Sequence, residues 1–224
     1  MTTESLPSAV LQALPTFNGR DETLDLVRKS ISKPIFNHSI RVYLFSRWLA
    51  EKENNVLSQE QLALLFTACI CHDLGTSMDF NGPQRFEVEG ADAAKNHLLT
   101  HGWSEPESHQ VWTAIALHTS PGIAEKIDPF TRLVRLGVLI DFSATTRHGL
   151  GADEYAVEVE RLLPRLEIEQ TLADAVVAQA SGKEEMPTKT CYGSTQKHPA
   201  GSWPGMLLRA KLENPGHTGR NPAF

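Results

Sequence analysis

Four residues in the sequence combine metal-ligating chemistry with an apolar setting: His38, His72, Asp73 and Asp141. Each stands inside or at the end of a segment rich in large apolar residues. Burying such groups without partners is costly, because an isolated charge is strongly disfavoured in a low-dielectric interior. A divalent cation bound between them would remove that cost. Histidine nitrogens and aspartate oxygens favour zinc, iron or manganese over calcium.

The elements that must position these residues are helical almost throughout. Apolar residues recur at helical spacing, and no two alternating segments suggest paired strands. The predicted fold class is therefore all-α. Helices are predicted over residues 21–31, 34–54, 59–73, about 87–101, 105–120, 128–144, 153–166 and 168–180.

The third of these segments is predicted to lie at the centre of the fold. Ser58 precedes it and is followed by Glu60 and Gln61, a pattern similar to a capping box. From Leu62 to Cys71 the segment is apolar nearly all round, as expected of a buried helix.

The composition changes near residue 182. We predict a helical metal-binding domain over residues 1–182 and an irregular C-terminal segment, rich in Gly and Pro, over residues 183–224. Trp203 and the apolar residues 206–208 predict that the middle of this segment packs on the domain. Residues after about 215 are expected to fray.

The charge and the hydropathy of the sequence argue against two classes of partner, nucleic acids and membranes. The formal net charge is -6 and no basic block is present, which argues against a nucleic-acid-binding surface. No apolar run approaches the roughly 20 residues that span a bilayer, and residues 1–17 lack the pattern of a signal peptide. We expect a cytoplasmic protein with a small-molecule substrate, no nucleic acid and no membrane partner. The sequence allows a homo-oligomer.

Three cysteines are present: Cys69, Cys71 and Cys191. The first two are too close in sequence for a relaxed disulfide. The odd number, without an export signal, predicts reduced thiols. We interpret them as buried packing residues, with a redox or metal-binding role as the alternative.

The order of the candidate ligands resembles a known family. His38, the adjacent His72-Asp73 and the later Asp141 match the H…HD…D signature of the HD-domain superfamily, which comprises all-α metal-dependent hydrolases and their relatives. The resemblance covers roughly residues 20–180. It implies an HD-domain helical bundle in which these four residues are the metal ligands.

The same resemblance bears on the number of metals. Many superfamily members bind two metals through two further histidines. Here Phe86 stands where the first is expected, whereas His118 in ALHTSP matches the second. This implies one divalent transition metal, zinc first, or else iron or manganese. His97 and His101 are interpreted as surface histidines rather than as the missing ligand.

Three motifs resemble the cyanamide hydratase-like branch of this superfamily: NHSIRVY (37–43), HDLGT (72–76) and FEVEG (86–90). The activity implied is hydration of cyanamide to urea, a metal-dependent hydro-lyase reaction. A metal with open coordination positions lowers the pKa of bound water from about 16 toward 7 and so supplies metal-bound hydroxide at neutral pH.

Two residues are candidates for proton transfer under this hypothesis. His118 is the candidate proton donor or shuttle. Glu87 could orient His118 or bind the amine end of the substrate. Alternatively, Glu87 is a carboxylate in the first turn of a helix that faces backbone amides.

Three residues are candidates for substrate binding. Phe86 could wall a small pocket or serve only as a core aromatic. Arg85 could gate the pocket or hold Glu87, or lie on the surface. Thr76 could hydrogen-bond beside the site or simply end the helix.

Two other functions fit the resemblance. A phosphohydrolase acting on a nucleotide or other phosphate ester needs cationic groups beside the metal. Arg41, Arg85 and Arg147 are the obvious candidates, and no Gly-rich phosphate-binding loop is visible. A non-catalytic regulatory module that binds metal is the second alternative, and the intact ligand set argues against it.

Overall fold

The computed structural model describes residues 5–181 and 197–224. Within these ranges the chain forms α-helices and two short 3-10 turns, with no strand, so the predicted all-α class is confirmed. The helices are α1 (Ser8–Ala13), α2 (Arg20–Ser30), α3 (Lys33–Lys52), α4 (Gln59–Cys71), α5 (Phe86–Thr100), α6 (Glu105–Leu117), α7 (Ala124–Ile127), α8 (Pro129–Phe142), α9 (Ala144–Gly149), α10 (Asp153–Leu162), α11 (Ile168–Ala180) and α12 (Trp203–Glu213). The 3-10 turns are Leu74–Thr76 and Met78–Phe80.

Helix α4 begins at a capping box, as predicted. The Ser58 hydroxyl accepts a hydrogen bond from the Gln61 amide at 3.2 Å, and the Gln61 side chain accepts one from the Ser58 amide at 2.9 Å. From Ala63 to Cys71 every residue of α4 is buried. Its neighbours are α2, α3, α5, α6 and α8, which confirms its central position.

A close backbone contact fixes the turn after α4 against α5. A Cβ atom on Gly75 would lie 2.0 Å from the Phe86 carbonyl oxygen, and one on Gly90 would lie 3.0 Å from the Gly75 nitrogen. Only glycine allows this approach. The contact holds the residues after α4 beside the start of α5.

The described part of the C-terminal segment, residues 197–224, is more regular than predicted. It contains α12, whose first turn is capped by the Ser202 hydroxyl and carries Pro204. These are ordinary start signals for a helix. Residues after 215 also pack back: Asn221 donates a hydrogen bond to the Leu207 carbonyl oxygen of α12 at 3.0 Å, and the Phe224 ring meets Phe142 of α8 with centroids 5.0 Å apart. The predicted domain boundary at residues 182–183 lies outside the described residues.

The cysteines were predicted to be reduced, buried packing residues. Cys69 and Cys71 are buried free thiols, and burial raises the pKa of Cys69 to about 12 and also raises that of Cys71. Neither is a ready thiolate. Cys191 lies outside the described residues. In the described part of the chain, no helix is long and apolar enough to cross a bilayer.

Candidate metal centre

Three of the four predicted ligands converge at the end of α4. His38 lies in the first half of α3, His72 caps the C-terminus of α4, and Asp73 follows it directly. One ligand atom from each residue lies within 4.8 Å of the others, and all three residues are buried. Two adjacent helices thus bring together residues 34 positions apart.

Hydrogen bonds fix which ring nitrogen of each histidine is available. The His72 Nδ1–H donates to the Cys69 carbonyl oxygen at 2.7 Å, and the His38 Nδ1–H donates to Asp141 Oδ2 at 2.6 Å. In the neutral rings both Nε2 atoms therefore carry lone pairs. These two Nε2 atoms face each other at 3.1 Å.

Asp73 completes the group of electron-pair donors. Its Oδ2 atom lies 3.1 Å from His72 Nε2 and 3.6 Å from His38 Nε2. Among the described residues this buried oxygen has no hydrogen-bond partner. Burial opposes ionisation of Asp73, but the adjacent His72 outweighs it and lowers the pKa to about 2.

These residues fit a divalent cation. Two nitrogen lone pairs and an unpartnered carboxylate oxygen point at one another in a buried space, where they would otherwise repel. A cation of the zinc, iron or manganese type accepts this mixture of nitrogen and oxygen donors. His38, His72 and Asp73 would hold it.

Asp141 occupies a different position from the other predicted ligands. It contacts the opposite nitrogen of the His38 ring, and it is not in the group of ligand atoms within 4.8 Å. Arg41 binds both of its oxygens, at 2.8 and 2.7 Å, and Arg165 donates to Oδ1 at 2.9 Å. Burial opposes ionisation, but the hydrogen bonds from Arg41 and His38 hold the Asp141 pKa far below its usual value.

Arg41 ties this carboxylate to the loop before α11. Its side chain is fully buried, and Nη1 donates to the carbonyl oxygens of Leu163 and Pro164 at 3.1 and 3.3 Å. From the sequence, Arg41 was predicted only as a phosphate-binding candidate. A sequence signal for its burial was present, because this arginine stands one helical turn after His38 in a largely apolar segment.

His118 repeats the arrangement of His72 at the end of α6. Its Nδ1–H donates to the Ile115 carbonyl oxygen at 2.6 Å, which leaves Nε2 unprotonated in the neutral ring. That Nε2 lies 3.8 Å from Asp73 Oδ1. Burial, followed by the charge of His72, lowers the pKa of His118 to about 4.

Glu87 is buried at the start of α5 and connects several elements. It accepts hydrogen bonds from Arg85 at 2.7 Å and from Thr119 at 2.5 Å. Burial opposes its ionisation, but Arg85 outweighs this and lowers the Glu87 pKa. His198 of the C-terminal segment places Nδ1 3.8 Å from Glu87 Oε2 and was missed by the sequence analysis.

A cavity of about 600 Å³ opens beside the three converging ligands and His118. Of the predicted substrate-binding residues, Arg85 lines it. Phe86 packs against the His118 ring with centroids 5.6 Å apart, behind the cavity wall. The Thr76 hydroxyl donates to the Asp73 carbonyl oxygen at 2.7 Å. Phe86 and Thr76 therefore contact residues of the site but do not line the cavity.

The two histidines interpreted as surface residues stay outside the ligand group. His97 is half-buried rather than exposed, and its ring nitrogen shares a hydrogen bond with the Thr23 hydroxyl at 2.9 Å. The His101 ring lies beside the His97 ring, tilted by 44° to it, with centroids 4.3 Å apart.

Comparison with protein families gives one match. The family described as HD domain matches residues 35–179, nearly two thirds of the chain and the whole region that carries the candidate ligands. No curated protein matches the chain. Members of this family bind divalent metals. With this match and the converging ligands, the chain belongs to the HD domain family, which indicates a metal-dependent enzyme of the hydrolase type.

Proposed function

We propose that the protein catalyses the metal-dependent addition of water to a nitrile-type substrate, with conversion of cyanamide to urea as the reference reaction. The observation that carries this proposal is the convergence of His38 Nε2, His72 Nε2 and Asp73 Oδ2 beside the unprotonated Nε2 of His118. A divalent cation held by these residues would supply hydroxide at neutral pH and act as a Lewis acid.

The reaction requires two proton transfers from oxygen to nitrogen. Water oxygen bonds to the nitrile carbon, one carbon–nitrogen π bond breaks, and one proton moves to the nitrile nitrogen to give the isourea. Transfer of the second proton from oxygen to nitrogen then replaces the remaining carbon–nitrogen π bond by a carbonyl and gives urea. His118 is suited to carry a proton between oxygen and nitrogen, since Nδ1 is committed to the Ile115 carbonyl and Nε2 is free to accept. The Ile115 hydrogen bond fixes the orientation of the ring.

Glu87 is proposed to position the substrate side of the site. Its carboxylate lies beside Thr119, a cavity-lining residue directly after His118 in the sequence, and is held by Arg85. In the folded protein this network fixes the loop that follows α6. Removing the carboxylate would therefore disturb the placement of His118 as well as local charge.

The charges around the cavity favour an uncharged substrate over a phosphate ester. Arg85 and Arg135 line the cavity, but each forms an ion pair, with Glu87 at 2.7 Å and with Glu125 at 3.0 Å. Arg41 forms a buried ion pair with Asp141 at 2.7 Å. A phosphoryl group would have to compete with these carboxylates for its cations.

A substrate panel tests this proposal. Protein loaded with zinc, iron or manganese is assayed on cyanamide, simple nitriles, nucleotides and a chromogenic phosphate ester. We expect turnover of cyanamide or a nitrile and its loss in His72→Ala, with the helical circular dichroism spectrum preserved. Turnover of phosphate esters alone would support the phosphohydrolase alternative. Bound metal without turnover of any substrate would support a regulatory module.

A further inference from the structure

Residues of the C-terminal segment, here residues 197–224, form one wall of the metal cavity. Trp203, Met206, Arg220 and Phe224 line the same cavity as the metal-ligand group. The family match ends at residue 179, so this wall lies beyond the matched region. Part of the chain outside the family match therefore faces the candidate metal centre.

Three aromatic rings form a continuous surface within that cavity. The Phe142 and Phe224 rings meet edge to face with centroids 5.0 Å apart, and Trp203 meets Phe224 in the same way at 5.7 Å. The surface reaches the metal centre itself, because Phe142 lies 4.5 Å from the His38 ring, centroid to centroid. Aromatic rings bind planar apolar groups by stacking or by edge-to-face contact.

The cavity has room for a substrate larger than cyanamide. A volume of about 600 Å³ is typical of sites that enclose a drug-sized ligand, whereas cyanamide is smaller than one amino-acid side chain. Val138, Leu139 and Leu172 add further apolar surface to the lining. This lining favours a substrate that carries an apolar group.

The cationic groups of the wall do not create a site for an anion. The Arg220 guanidinium lies over the Phe224 ring, 5.2 Å from its centroid, and donates to the Phe224 carbonyl oxygen at 2.8 Å. It therefore helps to hold the aromatic ring in place. Arg85 and Arg135 are paired with carboxylates, as described above.

We propose that the substrate is an uncharged nitrile or N-substituted cyanamide bearing a planar apolar substituent, and that Trp203 and Phe224 determine this specificity. The inference rests on the proposed function. For an aryl cyanamide, water adds across the carbon–nitrogen triple bond to give the aryl urea. No redox partner or leaving group is needed.

The test compares cyanamide with phenylcyanamide as substrates of the metal-loaded full chain. We expect kcat/KM to be higher for phenylcyanamide. Trp203→Ala and Phe224→Ala should each lower this value about tenfold for phenylcyanamide. For cyanamide the loss should be smaller, so that the ratio of the two kcat/KM values falls in both variants, with metal content unchanged. Leu212→Ala is the matched control, because Leu212 is on α12 but 70% exposed and outside the cavity lining.

Binding separates failure of this inference from failure of the proposed reaction. Phenylurea and urea are titrated into the same proteins by calorimetry. Even without turnover of any nitrile, tighter binding of phenylurea that weakens in Trp203→Ala would uphold the aromatic specificity. Equal weak binding of both ureas, or equal losses for both substrates in the variants, would overturn it.

Discussion

Each histidine of the site uses one ring nitrogen for structure and leaves the other for chemistry. In His38, His72 and His118 the Nδ1–H donates a hydrogen bond of 2.6–2.7 Å to a fixed oxygen. Such bonds set the tautomer and the orientation of a metal-binding ring. For His38 that oxygen belongs to Asp141, which suggests that Asp141 orients a ligand.

The two aspartates should therefore differ in their effect on metal binding. Asp141→Asn keeps an acceptor for His38 but removes its charge, so we expect metal affinity to fall about 10–100-fold. Asp73→Asn replaces the unpartnered oxygen and should reduce affinity much further. Competition with a chromogenic chelator measures both. Equal losses of metal affinity in the two variants would indicate that Asp141 is itself a metal ligand.

Arg41 should contribute strongly to stability, because its removal leaves Asp141 buried with fewer partners. We expect Arg41→Leu to lower the free energy of unfolding by about 3–5 kcal/mol, measured by urea denaturation. The control is Arg132→Leu, which breaks the partly exposed pair with Glu53 and should cost about 0–1 kcal/mol. Similar costs for the two variants would contradict this role.

The residue-level prediction from sequence was partial for a physical reason. His38, His72 and Asp73 stand out as polar residues in apolar helices, and they converge as their pattern indicates. The contacts of Asp141 depend on Arg41, which is 100 positions away along the chain. No local spacing specifies which buried cation will reach a given carboxylate.

At the scale of elements, two helix ends supply the chemistry. Helices α4 and α6 both stop at a histidine whose ring binds a carbonyl oxygen of the last turn. Carbonyl groups in the last turn of a helix have spare acceptor capacity. The Ile115 carbonyl accepts both the His118 ring N–H and the His118 amide, at 2.6 and 3.3 Å. The negative end of each helix also favours a nearby cation.

The turn after α4 packs so closely against α5 that position 75 should not accommodate a side chain. We expect Gly75→Ala to lower the free energy of unfolding by about 1–3 kcal/mol or more, because the new Cβ would overlap the Phe86 backbone. Gly149→Ala is the matched control, since a Cβ there meets nothing within 4 Å. Thermal denaturation compares them, and an unperturbed Gly75→Ala protein would refute the contact.

Periodicity predicted the long helices because each buries one continuous apolar face. The helices α1, α7 and α9 have only four to six residues and were missed, since so short a segment shows little periodicity. Helix α12 was not predicted, because the residues around it are rich in Gly and Pro and were predicted to be irregular. Its Ser-Trp-Pro start is nevertheless an N-terminal signal.

At the scale of the whole molecule, the C-terminal segment joins the bundle through a second, smaller apolar cluster. Leu207 of α12 packs there with Ile168, Leu172 and Val176 of α11 and with Phe86 of α5. The cluster holds α12 against the region where Glu87 and His198 meet. The sequence indicated that residues 203 and 206–208 dock, but it carried no sign that Trp203 and Met206 line the cavity beside the candidate metal ligands.

The central claim is that His38, His72 and Asp73 hold one catalytic divalent cation. The most direct measurement is the metal content of the purified chain by mass spectrometry, for the wild type and for His72→Ala. We predict about one transition-metal ion per chain in the wild type and its loss in the variant, with helical content unchanged. A second metal per chain, or full occupancy in His72→Ala, would contradict the account.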